Sequence, residues 1–205
     1  MYLGSVDERG VHVMASEILN NALDEAMTGH ASMIEITLQN DSSLTIADNG
    51  RGVPVELHLK FPGKSALEVI FTTLHSGGKF REAPQIAHDR LHGAGAAVVN
   101  ALSDRLWVEV ARPNHQLYRM SFAHGKPTTE LEKKGEVKDR RGTTVCFHPD
   151  PQIFGNAMFK PATLYLMAQS IARSYGGVEV TWKCDPAVAD EMTPTEGKFH
   201  FPNKF

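Results

Sequence analysis

Residues 15–26 restrict the fold of this 205-residue chain more than any other segment. Their apolar side chains recur at spacings of three and four residues, which predicts an amphipathic helix with one buried side. These apolar residues are Ile18, Leu19, Ala22, Leu23 and Ala26. Such a helix has to pack its apolar side against another layer of the domain.

The polar side of the same helix carries carboxylates and carboxamides but no cation. Side chains four residues apart lie over one another on a helix, so Glu17, Asn21 and Glu25 form one row. No Lys or Arg occurs between positions 11 and 25. A carboxylate one turn from a carboxamide suits a hard cation such as magnesium and a water molecule to be activated. A solvated acidic face is the alternative interpretation of this segment alone.

A predicted β-hairpin leads into the second informative segment. Alternation of apolar and polar residues predicts strands over 34–38 and 44–47. The second strand ends in Asp-Asn-Gly-Arg-Gly-Val-Pro, residues 48–54. Its two glycines let the backbone approach a ligand closely, and Asp48 could accept a hydrogen bond from an exocyclic amine such as that of adenine. A turn that only ends a strand is the alternative.

Two glycine-containing segments predict a region that binds an anion. Gly-Gly-Lys, residues 77–79, follows a helix that Ser65 caps, and Leu-His-Gly-Ala-Gly, residues 91–95, precedes another helix. Glycines at a helix start leave backbone N–H groups free to face an anion, and the helix dipole adds to the attraction. Glycines also begin helices for packing reasons. The polar residues 81–90 between the two segments are predicted as a mobile loop or lid.

The remaining chain is predicted to be mainly sheet. Strands are predicted over 106–111, 117–122, 143–147, 178–183 and 199–201, a helix over 161–175, and a charged, irregular, solvated loop over 126–141. The fold class predicted for residues 1–205 is therefore α+β, in one domain. We expect a two-layer α/β sandwich with helices on one face of a mixed, mainly antiparallel sheet.

The composition excludes several classes of protein. With 41% hydrophobic and 22% charged residues, the chain is an ordinary globular sequence. Its formal charge of −3 gives no basic footprint for gripping nucleic acid. Two cysteines are too few for a disulfide framework and indicate a reducing compartment. No segment indicates a membrane span or export, so we expect a cytoplasmic location.

Five motifs occur in an order that resembles a known family over nearly the whole chain. They are Glu17-x-x-x-Asn21, Asp48-x-Gly50-x-Gly52, Gly77-Gly78-Lys79-Phe80, Leu91-His92-Gly93-x-Gly95 and Gly142-Thr143. The chain resembles the ATP-binding domain, with the Bergerat fold, of the ATPase subunits of type II topoisomerases. Its superfamily also holds histidine kinases, heat-shock chaperones and mismatch-repair ATPases. Residues 60–70 look more like the ATPase subunit of topoisomerase IV than that of gyrase.

The resemblance implies roles at the two ends of a bound ATP. Glu17 matches the general base that activates water for attack on the γ-phosphate. Asn21 matches the ligand of Mg²⁺. Asp48 matches the carboxylate that receives the adenine amino group, and Thr143 assists it through a water molecule.

Further nucleotide-binding residues follow from the same resemblance. Arg51 matches an arginine that flanks the adenine edge and pairs with an acid, here Glu25. Arg119 matches an arginine at the pocket rim that competitive ATP-site inhibitors also use. The phosphate lid comprises Gly78, Lys79, Leu91, His92, Gly93 and Gly95. The other residues expected to contact the nucleotide are Gly52, Val53, Pro54 and Ile70.

The chain departs from the family pattern at the catalytic end. Val13 stands where a second histidine usually lies beside the base, and Asn20 replaces an aspartate next to the magnesium ligand. In the lid, Gln85 replaces a tyrosine, and His-Asp-Arg at 88–90 replaces Ser-Gly-Gly. We therefore expect an intact adenine end and altered lid closure and turnover.

The resemblance also implies partners for the intact enzyme, namely DNA, a topoisomerase A-type subunit and a second ATPase subunit clasped through an N-terminal arm. We expect this chain to lack that arm, the transducer domain and the DNA-cleavage elements. It should then be a monomer that binds ATP and Mg²⁺ but hydrolyses ATP poorly. The alternatives are a gyrase B domain, a non-hydrolysing nucleotide switch, a sensor kinase and an unrelated α+β domain.

Overall fold

The computed structural model describes residues 4–74 and 94–202. The helices of this part are α1 (Glu8–Met27), α2 (Ala66–Thr72), α3 (Gly95–Ala101), α4 (Pro151–Phe154) and α5 (Pro161–Ser174). The strands are β1 (Met33–Leu38), β2 (Leu44–Asp48), β3 (Ser103–Ala111), β4 (Gln116–Ala123), β5 (Lys126–Pro127), β6 (Glu132–Glu136), β7 (Gly142–Pro149), β8 (Glu179–Cys184) and β9 (Glu196–His200).

The strands of the described residues form one mixed sheet in the order β5-β4-β3-β7-β2-β1-β8-β9, and β6 also pairs with β4. β1 and β8 are parallel. The other pairs of neighbouring strands are antiparallel. This arrangement confirms the predicted α+β sandwich with a mainly antiparallel sheet.

Helix α1 packs its apolar side on this sheet as the sequence predicts. Ile18, Leu19, Ala22 and Leu23 are all buried. The helix begins at Glu8, earlier than its apolar period shows, because the Asp7 carboxylate accepts hydrogen bonds from the first-turn N–H groups. One continuous core therefore joins α1, α3 and α5 to the inward-facing residues of the strands.

The prediction of an irregular loop over 126–141 is wrong in part. Strands β5 and β6 lie in this segment and pair with β4 at the edge of the sheet. The side chains of β6 are mostly exposed, and its sequence Glu-Lys-Lys-Gly-Glu has no apolar alternation. An edge strand is held by backbone hydrogen bonds, and exposed charges protect it from further pairing. Hydrophobic periodicity therefore cannot reveal it.

Within residues 4–74 and 94–202, every helix is too short or too polar to span a bilayer.

Candidate functional site

Asp48 lies at the end of β2, where the chain turns away from the sheet. Its Oδ1 accepts a hydrogen bond of 2.7 Å from the Gly50 N–H. Burial raises the pKa of the Asp48 carboxyl from 3.8 to about 6. Hydrogen bonds from the backbone of Gly50 and Thr143 and the charge of Arg141 act to lower this pKa, but burial outweighs them. The nearby charge of Glu25 raises the pKa further. A carboxylate has about four acceptor sites, so Asp48 can receive a ligand amine as well.

The first residues of β7 pack directly against the turn after Asp48. Gly142 has a φ of +103°, and a Cβ built there would lie 2.0 Å from the Asp48 carbonyl oxygen. Only glycine allows this approach. The next residue, Thr143, is buried, and its Oγ1 accepts a hydrogen bond of 3.1 Å from the Val53 N–H. The Gly-Thr motif therefore brings Thr143 beside Asp48 and Val53.

Replacement of Gly142 by Ala is expected to lower the free energy of unfolding by roughly 2–5 kcal/mol, because the new Cβ meets backbone that cannot move aside. Gly135→Ala is the matched control, since Gly135 also has a positive φ, +121°, but has open space around it. It should cost only about 1 kcal/mol. Chemical denaturation of the two variants measures both values. Equal losses would show that the contact with Asp48 contributes nothing.

An ion pair joins the end of α1 to the same turn. Arg51 donates to Glu25 from its backbone N–H at 3.0 Å, from Nε at 3.1 Å and from Nη2 at 2.8 Å. Although burial acts to raise it, the pKa of Glu25 lies below its usual value because Arg51 makes these bonds. A Cβ at Gly50 would lie 2.7 Å from Asp48 Oδ1 and 2.8 Å from Glu25 Oε2. The two carboxylates therefore converge on Gly50.

Glu17 lies two turns before Glu25 on α1 and faces the start of α3. A Cβ built at Gly95, the first residue of α3, would lie 2.1 Å from Glu17 Oε2. Gly95 is therefore the small residue that leaves room for the Glu17 carboxylate. Asn21, one turn further along α1, is exposed. The predicted row of Glu17, Asn21 and Glu25 thus runs along one side of a single continuous helix.

The oxygen donors on this row fit magnesium chemistry. Among the described residues, no group of three or more His, Cys, Asp or Glu side chains could hold a metal by itself. Mg²⁺ usually keeps several waters and binds one or two protein ligands together with substrate phosphates. An exposed carboxamide at Asn21 suits such a partial ligand set.

The other predicted nucleotide contacts lie in the turn after Asp48, at Gly52, Val53 and Pro54, and on α2, at Ile70. Gly52 has a φ of +75°, and a Cβ there would lie 2.8 Å from Val110 Cγ1. Val53 and Ile70 are partly buried and pack against the core, and Pro54 is half-buried. Val53 and Pro54 therefore make the end of the turn apolar.

Arg119 is placed differently from the other predicted site residues. Its Nη1 donates to Glu109 Oε1 at 3.2 Å, and its guanidinium lies 4.5 Å from the centre of the Trp107 ring. Glu109 pairs with Thr144 in the sheet register, and neighbouring residues of a strand face opposite sides. Arg119 therefore lies on the sheet face opposite to Thr143, and its place at the pocket rim stays a prediction.

Several predicted lid residues lie outside the described part of the chain. They are Gly78, Lys79, Leu91, His92 and Gly93, together with the departures at Gln85 and residues 88–90.

Two arginines contact the turn after Asp48, although the sequence did not predict either of them at the site. Arg141, predicted in a solvated loop, donates to the Asn49 carbonyl at 2.6 Å. Arg112 donates to the Gly52 carbonyl at 2.7 Å. The position of Arg141 directly before the Gly-Thr motif is the only sequence signal for this role.

Comparison with known proteins identifies the family. The family model described as "Histidine kinase-, DNA gyrase B-, and HSP90-like ATPase" matches residues 6–153, which include every described residue predicted at the site. The chain belongs to this ATPase family. Its fold and the order of its motifs are those expected of a member.

Individual members of the family are similar to this chain over 89–99% of its length. The B subunit of DNA topoisomerase 4 from Bartonella bacilliformis is 50% identical over 206 residues, which is 99% of this chain and 30% of the relative. Its counterpart from Caulobacter vibrioides is 48% identical over 204 residues, 99% of this chain and 29% of the relative. The B subunit of DNA gyrase from Thermus thermophilus is 44% identical over 184 residues, 89% of this chain and 29% of the relative. The chain thus spans about 30% of the length of these relatives.

A solved structure confirms the fold. The 43K ATPase domain of Thermus thermophilus gyrase B, in complex with an aminocoumarin, superposes with a TM-score of 0.83 and 38% identity. The match covers 98% of this chain and 49% of that chain. The resemblance to the ATPase domains of type II topoisomerases is therefore confirmed.

Proposed function

We propose that this chain binds ATP as the ATPase domain of a bacterial type II topoisomerase, most similar to the B subunit of topoisomerase IV. The observation that carries the proposal is the buried Asp48 carboxyl at the end of β2, with its pKa raised to about 6. A buried acid that keeps acceptor sites is suited to recognise the amino group of adenine. The 50% identity to a topoisomerase 4 relative supports the choice of branch.

The catalytic end of the site is proposed on α1. Glu17, held against Gly95, takes a proton from the water that attacks the γ-phosphate. Asn21 presents a carboxamide oxygen to Mg²⁺, which neutralises phosphate charge when it is bound. Arg51 and Glu25 hold each other at the adenine edge.

The proposal extends to the whole subunit, whose ATP turnover would drive DNA strand passage, decatenation and relaxation of supercoils. DNA, an A-type subunit and a second ATPase subunit are its proposed partners, and the cytoplasm is its proposed location. Residues 1–205 would form one ATP-binding domain, monomeric by itself and slow in hydrolysis. A gyrase B domain is the second candidate, favoured by the 44% identity to a gyrase relative.

Binding of a non-hydrolysable ATP analogue tests the proposal. At a ligand concentration of about 100 times Kd, stability should rise by about 2.7 kcal/mol, which raises the Tm by roughly 5–10 °C. Repeating the titration without Mg²⁺ should weaken binding, and an aminocoumarin should compete with the analogue. GTP at the same concentration is the control nucleotide. An equal shift with GTP, or none with the analogue, would refute the proposed site.

A further inference from the structure

The carbonyl groups of the turn after Asp48 are bound by arginines from two different loops. Arg141, directly before β7, donates from Nε to the Asn49 carbonyl at 2.6 Å. Arg112, directly after β3, donates from Nη1 to the Gly52 carbonyl at 2.7 Å and to the Arg51 carbonyl at 3.4 Å. The turn is therefore held on both sides of Gly50, the donor to Asp48, by groups outside its own segment.

Each arginine is anchored at a second point. Arg141 also donates from Nη2 to the carbonyl of His30, in the loop after α1. Arg112 donates from Nη2 to Glu56 Oε1 at 3.0 Å. A guanidinium is a rigid planar fork, so two bonds from one group fix the relative positions of the segments that it joins. Arg141 thereby ties the loop after α1 to the turn after β2.

The position of this turn decides how Asp48 meets a ligand. Recognition groups have to be held within about 0.5 Å of the productive geometry by neighbours that are themselves fixed. Asp48 is attached to the turn by the hydrogen bond that it accepts from Gly50. Gly50 lies between the carbonyls of Asn49 and Gly52, which the two arginines bind. A shift of the Asn49 or Gly52 carbonyl would therefore move the carboxyl group.

We propose that Arg141, assisted by Arg112, is a positioning residue that holds Asp48 so that the site selects adenine by its amino group. This inference rests on the proposed ATP site and adds to it a specificity device outside the family motifs. Arg141 contacts no proposed ligand atom; it holds the turn through its bonds to the backbone.

Nucleotide discrimination is the readout that a merely structural role would not move. Inosine triphosphate carries a carbonyl oxygen where ATP carries the amino group, so it places an acceptor opposite Asp48. The wild-type chain should bind ATP about 100-fold more tightly than inosine triphosphate. Arg141→Ala should reduce this ratio to about 10-fold or less, since a misplaced carboxyl recognises the amine poorly.

We call the contacts of Arg141 and Arg112 with the turn carbonyls the clamp. Matched variants separate the loss of the clamp from the loss of a charge. Arg141→Lys keeps the charge but not the planar fork, and should give an intermediate ratio. Arg112→Ala should lower the ratio in the same direction as Arg141→Ala. Arg105→Gln, which removes an arginine paired with Asp41 away from the turn, should leave the ratio at the wild-type value. If Arg141→Ala does not fold, as judged by its circular dichroism, Arg141→Lys carries the test.

The titration of Asp48 measures the effect of the Arg141 charge on this carboxyl, separately from the position of the turn. Glu25 from α1 and Arg141 from the loop before β7 are the charges that act on this carboxyl, in opposite directions. Removal of Arg141 should therefore raise the pH at which the Asp48 side-chain carbon titrates by NMR, whereas Arg141→Lys should shift it little.

The possible results distinguish this inference from the proposed function. A wild-type chain that prefers ATP, together with an unchanged ratio in Arg141→Ala and Arg112→Ala, would overturn the clamp alone. A wild-type chain that binds no ATP would overturn the proposed function. The inference about adenine selection rests on that function and would fall with it.

Discussion

Asp48→Asn should weaken ATP binding by about 100-fold or more, which amounts to loss of binding at ordinary concentrations. The amide oxygen can keep the bond that Gly50 donates at 2.7 Å, which turns the NH₂ group towards the ligand. Two donors then face each other where a carboxylate received an amine. Isothermal titration with a non-hydrolysable analogue measures the loss.

The same substitution should stabilise the ligand-free fold at neutral pH. The pKa of Asp48 is raised from 3.8 to about 6, so between these values the folded state keeps a proton that the unfolded chain has released. Stability of the wild type therefore falls as the pH rises through this window, by about 3 kcal/mol in total. An amide has no such titration, so the variant should gain up to about 3 kcal/mol over the wild type above pH 6.

Asp41→Asn is the matched control for both measurements. Although burial acts to raise it, the pKa of Asp41 lies below its usual value, because Ser43 and Arg105 donate hydrogen bonds to the carboxylate. This control should lose stability above its pKa and leave ATP affinity unchanged. Denaturation curves from pH 4 to pH 8 test the opposite signs. A stability gain at pH 4 as large as at pH 8 would contradict the assigned burial cost at Asp48.

Glu17→Gln should slow ATP hydrolysis by about 10²–10⁴-fold and change ATP affinity by less than about threefold. Glutamine has nearly the same shape, so it should fit against Gly95 as Glu17 does, but it cannot accept a proton from water. Single-turnover release of phosphate measures the chemical step, and the analogue titration measures affinity. The single-turnover format is needed because the chain by itself is expected to turn over slowly.

A glutamate elsewhere on α1 provides the control. Glu8 lies in the first turn and pairs with Lys160. Glu8→Gln therefore removes a carboxylate from the same helix outside the site, and should keep both rate and affinity. If Glu17→Gln hydrolysed ATP at the wild-type rate, the general base would have to be another group. If it lost affinity as well, Glu17 would be a binding residue in this chain.

Much of the candidate site could be predicted because its chemistry lies in short segments. The row of Glu17, Asn21 and Glu25 follows from helical spacing, and the turn after Asp48 follows from its glycines. Helix boundaries were less certain, since the cap at Asp7 extended α1 beyond its apolar period. The edge strand β6 was missed because its stability comes from backbone pairing with β4 rather than from side-chain burial.

The sequence by itself determined the family, through the order of its five motifs, and the sandwich fold, because periodicity and turn chemistry depend on near neighbours in the chain. It also predicted the residue types at both ends of the proposed nucleotide site through the same resemblance. Only the tertiary structure decided that Gly142 packs against Asp48 and that Arg141 and Arg112 bind the carbonyls of the turn. It also decided that Arg119 lies on the sheet face opposite to Thr143. These contacts join residues about 60 to 90 positions apart or depend on which side of a strand faces the core. Strand pairing sets both, and spacing along the chain does not encode it.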